Sequence, residues 1–179
     1  FVITADTEID LDGKTITVPA NADSDAKALF TVEGDANLTL KNGSVELENA
    51  GTRAIVSAKN VVYFKSTGKL VLDGMTIVGS KRGGARAIDV QAGEAVISNS
   101  TFNCYYGSGV NSGKAKVVLN NCDITVNGMY SAPYNSVCFS VMYGGELTVN
   151  GGNYKIINDA VYSTGNTHGG WLGIVMSSG

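Results

Sequence analysis

Six segments of the chain share one six-residue pattern whose third position is only Gly or Asn. They are Leu11-Asp12-Gly13-Lys14-Thr15-Ile16, Leu40-Lys41-Asn42-Gly43-Ser44-Val45, Leu72-Asp73-Gly74-Met75-Thr76-Ile77, Ile97-Ser98-Asn99-Ser100-Thr101-Phe102, Leu119-Asn120-Asn121-Cys122-Asp123-Ile124 and Val149-Asn150-Gly151-Gly152-Asn153-Tyr154. Successive copies begin 22 to 32 residues apart. Gly and Asn are the residues that best tolerate a left-handed backbone, so a column of Gly13, Asn42, Gly74, Asn99, Asn121 and Gly151 predicts a recurring bend.

The flanking positions say what the bend joins. The first position is aliphatic, as is the residue two before it in most copies (Ile9, Leu38, Leu70, Val117, Leu147; Ala95 is the small one). That period-two alternation predicts a strand with one face buried. The sixth position is again large and apolar, so a second strand starts just after the bend. A β-hairpin is the competing reading, because Asn-Gly and Asp-Gly favour type I′ turns. It fails on spacing: a meander would show turn signals every ~8–12 residues. A third strand is predicted before most copies, at 30–34, 54–57, 88–93, 109–113 and 139–144. Three short strands per repeat describe one coil of a parallel β-helix, a solenoid whose equivalent positions stack into columns. The whole chain, 1–179, reads as a single all-β solenoid domain of about six coils.

Composition narrows the alternatives. Hydrophobic residues make up 44% of the 179 residues and the net charge is −3, which excludes a disordered chain. A sequence pI near 5.1 excludes nucleic acid as the main partner. No apolar run approaches the ~18 residues of a membrane span, so no membrane insertion is expected. Cys104, Cys122 and Cys138 are too few and too irregular for a disulfide framework or a zinc site. The segment Ile174-Val175-Met176-Ser177-Ser178-Gly179 repeats Ser140-Val141-Met142-Tyr143-Gly144-Gly145, which runs on into another strand. The expectation is therefore a fragment with an open C-terminal end.

From Ile9 to Gly179 this pattern resembles the right-handed parallel β-helix of the pectate-lyase-like superfamily. The resemblance implies either carbohydrate cleavage or a rigid shaft, as in phage fibres and appendages or bacterial surface adhesins. The residues give cleavage little support. Asp12 and Asp73 share the second position two coils apart with Lys41 between, ~10 Å by coil spacing, which is wide for a carboxylate pair. His168 sits in a loop, and Lys81-Arg82-Gly83-Gly84-Ala85-Arg86 reads as a solvated loop. No Gly-x-Ser-x-Gly elbow, P-loop or dinucleotide fingerprint occurs. No catalytic residue, metal or cofactor is expected.

Binding is better supported. Inserts in the late coils carry Tyr105, Tyr106, Tyr130, Tyr134, Tyr162, His168 and Trp171 beside Asn, Asp and Thr, a combination suited to sugar faces. The expectation is a non-enzymatic structural and attachment module of a virion surface fibre, spike or head appendage, contacting host-surface glycan. A bacterial cell-surface adhesin and a polysaccharide lyase or hydrolase are the alternatives. The location expected is the virion surface or the extracellular bacterial surface. Shafts of this kind resemble homotrimers, and Val61, Val62, Tyr63 and Phe64 read as the outward apolar positions that a homo-oligomer would cover.

Overall fold

The computed structural model describes residues 1–19, 28–47, 60–79, 86–105, 108–128, 137–158 and 174–177. Within these the chain forms strands and no helix: β1 (Val2–Ile3), β2 (Thr7–Asp10), β3 (Thr15–Val18), β4 (Ala28–Val32), β5 (Leu38–Leu47), β6 (Asn60–Phe64), β7 (Lys69–Val78), β8 (Ile88–Val90), β9 (Glu94–Ser98), β10 (Thr101–Tyr105), β11 (Ser108–Ser112), β12 (Lys116–Gly128), β13 (Val137–Met142), β14 (Glu146–Asn158) and β15 (Ile174–Ser177).

Sheet A stacks β1, β4, β6, β8, β11, β13 and β15 in that order. Sheet B stacks β2 and β3 on β5, then β7, then β9 and β10, then β12 and β14. The chain alternates between the two sheets and every pairing is parallel, so each passage through A and B is one turn of a β-solenoid. About four turns (β4–β5, β6–β7, β8–β10 and β11–β12) are flanked by another turn on both sides. The expected six is reached only by counting the end layers β1–β3 and β13–β14.

The interior is a set of aliphatic columns. Leu40, Leu72, Ile97 and Leu119 are in register and at most 1% exposed. Val45, Ile77, Phe102 and Ile124 form the next column beyond the bend, and Phe30, Val62, Ile88 and Val110 face them from sheet A. Each such side chain contributes roughly 1.5–3 kcal/mol by leaving water. At the ends the same columns are less covered: Ile9 and Ile16 in the first layer and Tyr154 in the last are half-buried, and Val149 in the last is exposed.

All six recurring bend residues have positive φ: Gly13 74°, Asn42 56°, Gly74 61°, Asn99 51°, Asn121 51° and Gly151 72°. β5, β7, β12 and β14 run through the bend as single strands. Asparagines tie the layers together there. Asn99 Nδ2 donates to Asp73 Oδ1 (3.0 Å), and Asn150 Nδ2 to Asn120 Oδ1 (2.9 Å).

The register departs from the sequence pattern in the first coil. Asp10, not Asp12, pairs with Lys41, which pairs with Asp73. Beyond the bend Thr15 again pairs with Ser44. The first corner therefore carries two extra residues, which close a turn: Asp12 (φ 48°) and Gly13 are both left-handed, and Lys14 N–H donates to Leu11 O at 2.8 Å. These are the marks of a type I′ turn. It makes no hairpin, because β2 and β3 both pair with β5.

The third strand expected at 54–57 lies outside the described residues. The strand that pairs with β4 and β8 in that layer is β6. This also overturns the outward reading of Val61, Val62 and Phe64. All three are fully buried in the core, and only Tyr63 is half-exposed. Those side chains are already covered by the chain's own turns, so they offer nothing to a partner.

Cys104, Cys122 and Cys138 are free and buried. Burial pushes the Cys104 thiol up to about 12 and the Cys138 thiol up to about 11. An unfolded thiol ionises near 9, so above about pH 9 the unfolded state releases protons that the folded state keeps. Folding stability then falls as pH rises through that range. The native protein is expected to react slowly with a thiol-titrating disulfide reagent at pH 8 and to release three equivalents in denaturant. Three fast native equivalents would contradict the packing described.

Candidate functional site

The two corners of each turn differ in kind. Residues 4–6, 33–37, 65–68, 91–93, 113–115 and 143–145 lead from sheet A to sheet B and are uniformly short. Residues 19–27, 48–59, 79–87, 106–107, 129–136 and 159–173 lead back from B to A, and all the large length variation is here. Their anchors are stacked. Tyr105 pairs with Asn127 and Gly128 with Asn158 where the late segments leave sheet B. Ser108 pairs with Val137 and Phe139 with Ile174 where they enter sheet A. Successive late segments therefore leave from points ~4.8 Å apart on one edge of a rigid frame.

Of the aromatic candidates, Tyr105 ends β10 with its backbone paired, and its side chain lies outside the described residues. Tyr106, Tyr130, Tyr134, Tyr162, His168 and Trp171 also lie outside them. The described strand ends that flank their segments are stacked along one edge.

Beside that edge, on the outer face of sheet A, is a polar cluster that the sequence reading did not single out. Thr31, Tyr63, Asp89, Asn111 and Ser140 form the outward column between the two inward ones. Outward residues of a solenoid are ordinarily exposed, yet Asp89 is 4% and Asn111 1% exposed. The Asp89 carboxylate is held by three donors. Arg86 Nη1 donates to Oδ2 at 2.8 Å, Asn111 Nδ2 to Oδ1 at 2.8 Å, and Gln91 Nε2 also to Oδ1. Arg86 Nη2 reaches on to Met142 Sδ, in β13 two layers away, at 3.9 Å.

Arg86 is thus no solvated loop residue; residues 81–85 of that basic run are outside the description. Asn111 Oδ1 is the one buried side-chain oxygen or nitrogen without a partner among the described residues. An unmet buried acceptor costs roughly 1–3 kcal/mol. The arrangement is a guanidinium locked by a buried carboxylate, and of the two only the Arg86 side chain, 34% exposed, is open to solvent. The only sequence signal for it is the polar residue at the centre of Ile88-Asp89-Val90 and of Val110-Asn111-Ser112.

The carboxylate pair weighed from sequence is re-sited as well. Asp10 is the residue in register with Lys41 and Asp73. It accepts the Asp12 N–H at 3.0 Å and the Asn42 amide at 3.3 Å, with Lys41 Nζ at 3.7 Å. These bonds, the backbone one first, hold its carboxyl below the usual range. Among the described residues no group of three or more His, Cys, Asp or Glu side chains is placed to hold a metal ion. Tyr143 is 55% exposed and held at φ 53°, but it stands at the short corner, away from the variable edge.

Compared with known proteins, the chain matches no family model, no curated protein and no solved structure.

Proposed function

We propose that the chain is a structural and attachment module: a stiff solenoid shaft belonging to a virion surface fibre, spike or head appendage, whose edge segments contact host-surface glycan. The observation that carries this reading is the asymmetry of the corners. A frame needed only for stiffness has no use for putting every variable segment on one edge. A frame that presents a binding surface does, because rigid strands hold the anchors while the segments vary. The aromatics in the late segments supply flat apolar faces for sugar C–H surfaces, and the neighbouring Asn and Thr supply partners for hydroxyls. A homo-oligomer at a virion or cell surface belongs to the same reading.

A bacterial cell-surface adhesin would use the same edge in the same way, and flanking sequence separates the two: a cell-wall anchor against a capsid- or tail-docking segment. A polysaccharide lyase or hydrolase of the pectate-lyase-like type draws on the Arg86–Asp89 cluster, since it sits on an outer sheet face. The test is a glycan array with wild type, Tyr134→Ala and Trp171→Ala. Binding to a surface polysaccharide should weaken about tenfold or more in each variant, equivalent to ~1.4 kcal/mol. No binding to any glycan, or the same binding in all three proteins, rejects the attachment reading. Steady release of reducing ends or unsaturated products from the panel transfers it to the enzyme.

A further inference from the structure

On the outer face of sheet B, Lys69 pairs with Glu94, Glu94 with Lys116, and Lys116 with Glu146. The four exposed side chains make a column of alternating sign. The neighbouring column, two residues along each strand, is Val71, Val96, Val118 and Thr148, with Thr39 one layer earlier. The three valines are half-exposed. Beyond it run Asp73, Ser98, Asn120 and Asn150. The face is therefore an apolar stripe bordered by a charged column and an amide–hydroxyl column.

Alternation alone has a simple explanation within the chain, since like charges stacked one strand apart repel. But the four groups form no ion pair with one another. Among the described residues the ion pairs are elsewhere, at Lys14–Asp12, Lys41–Glu8, Lys41–Asp10, Lys65–Glu33 and Arg86–Asp89. Among the described residues none of the four charges is ion-paired, and they stand beside apolar surface that is only half-covered.

A plus–minus–plus–minus column is complementary to itself when reversed. We propose that this face of sheet B is a self-association surface, on which a second copy of this chain packs with its solenoid axis antiparallel to the first. A two-fold axis lying in the interface along the strand direction keeps each column opposite itself and reverses the layers. Lys69 then faces Glu146 of the second copy, and Glu94 faces its Lys116. The same operation sets Val96 against Val118, and Asp73 against Asn150, a carboxylate against an amide donor. A two-fold along the solenoid axis keeps the layers and reverses the columns. Through the charged column it sets Lys on Lys and Glu on Glu. Through the valine column it pairs only Lys69 with a charge, Asp73, leaving Glu94, Lys116 and Glu146 opposite Ser98, Asn120 and Asn150. The antiparallel form alone pairs all four charges, so charge selects it. The patch spans three columns and four or five layers, about 500 Å² a side by strand spacing. At about 1,000 Å² in total that lies just below the range of stable specific interfaces, so the dimer should be weak, with a Kd of roughly 100 μM. None of this depends on what the edge segments bind.

Sedimentation velocity on the full chain from about 10 μM to about 1 mM spans the affinity expected of so small a patch. Wild type should pass from monomer to dimer, and added salt should reverse the passage. Glu94→Lys/Glu146→Lys, with an all-positive column, should stay monomeric, as should the all-negative Lys69→Glu/Lys116→Glu. An equimolar mixture of the two should form a heterodimer. Glu94→Gln/Glu146→Gln removes attraction without stacking like charges and should weaken the dimer about tenfold or more; circular dichroism confirms that each variant is folded. A wild type monomeric throughout, a dimer that survives charge reversal, or a folded mixed pair that stays monomeric overturns the proposal.

Discussion

Replacing Gly93 by alanine is expected to lower folding stability by more than 3 kcal/mol, whereas Gly34→Ala, at another short corner, should cost only about 1–2 kcal/mol. Both glycines are left-handed, at φ 67° and 70°, so both substitutions carry the same backbone penalty. What differs is the space. A Cβ on Gly34 meets nothing within 4 Å. On Gly93 it would stand 2.4 Å from Gly68 O and 2.7 Å from Ser66 O. Those are backbone atoms of the preceding turn, held by the parallel ladder and unable to swing aside. The clash has to be relieved by separating two turns in the middle of the stack, which weakens the Leu72–Ile97 column on either side. Urea unfolding of the two variants beside wild type measures the difference. Equal losses would mean that the turns are not packed as closely as described.

The second large effect concerns the cluster on sheet A. Arg86→Ala should destabilise the protein by about 3 kcal/mol or more, because it strands a carboxylate that is almost wholly buried. Asp89→Asn should cost less. The Asp89 side chain is 5% exposed but that of Arg86 is 34% exposed, so a stranded guanidinium can turn toward water. The double variant Arg86→Ala/Asp89→Asn, neutral at both positions, should recover part of the Arg86→Ala loss. Denaturant midpoints for the four proteins form a double-mutant cycle, and simple additivity would show that the pair is not coupled. The same cycle repeated in a glycan-binding measurement separates a scaffold from a contact. A scaffold role predicts that binding follows the folded fraction, and a contact role predicts weakened binding in variants that are fully folded.

The bend residues were legible because a left-handed φ is a demand on one residue's own backbone, and Gly and Asn meet it wherever they stand. The interior columns were legible because alternation is a property of a single strand. Register was harder to read. Leu11-Asp12-Gly13 imitates Leu40-Lys41-Asn42 in sequence, and only pairing along β5 shows that Ile9 and Asp10 hold those places, with two residues spent on a turn. The reading of Val61, Val62 and Phe64 as outward positions failed for a related reason. An apolar run does not say which of its faces is inward, and only pairing with the neighbouring turns stacks Val62 between Phe30 and Ile88. The polar cluster was hidden more deeply still. Alternation places Asp89 and Asn111 on the outer face, but no local pattern says that an outer face is buried there.

The amino-acid order by itself determined that the chain coils, where it bends and which side chains line the interior, since each of those follows from the conformational and solvation preferences of neighbouring residues. Only the tertiary structure decided which residues stack on which from turn to turn. From that came the alternating column on sheet B, the stacking along one edge of the strand ends that flank the variable segments, and the enclosure of Asp89 by Arg86, Gln91 and Asn111. Contacts between turns join residues some twenty to thirty positions apart, and their energies depend on register and cover, which no single segment of sequence contains.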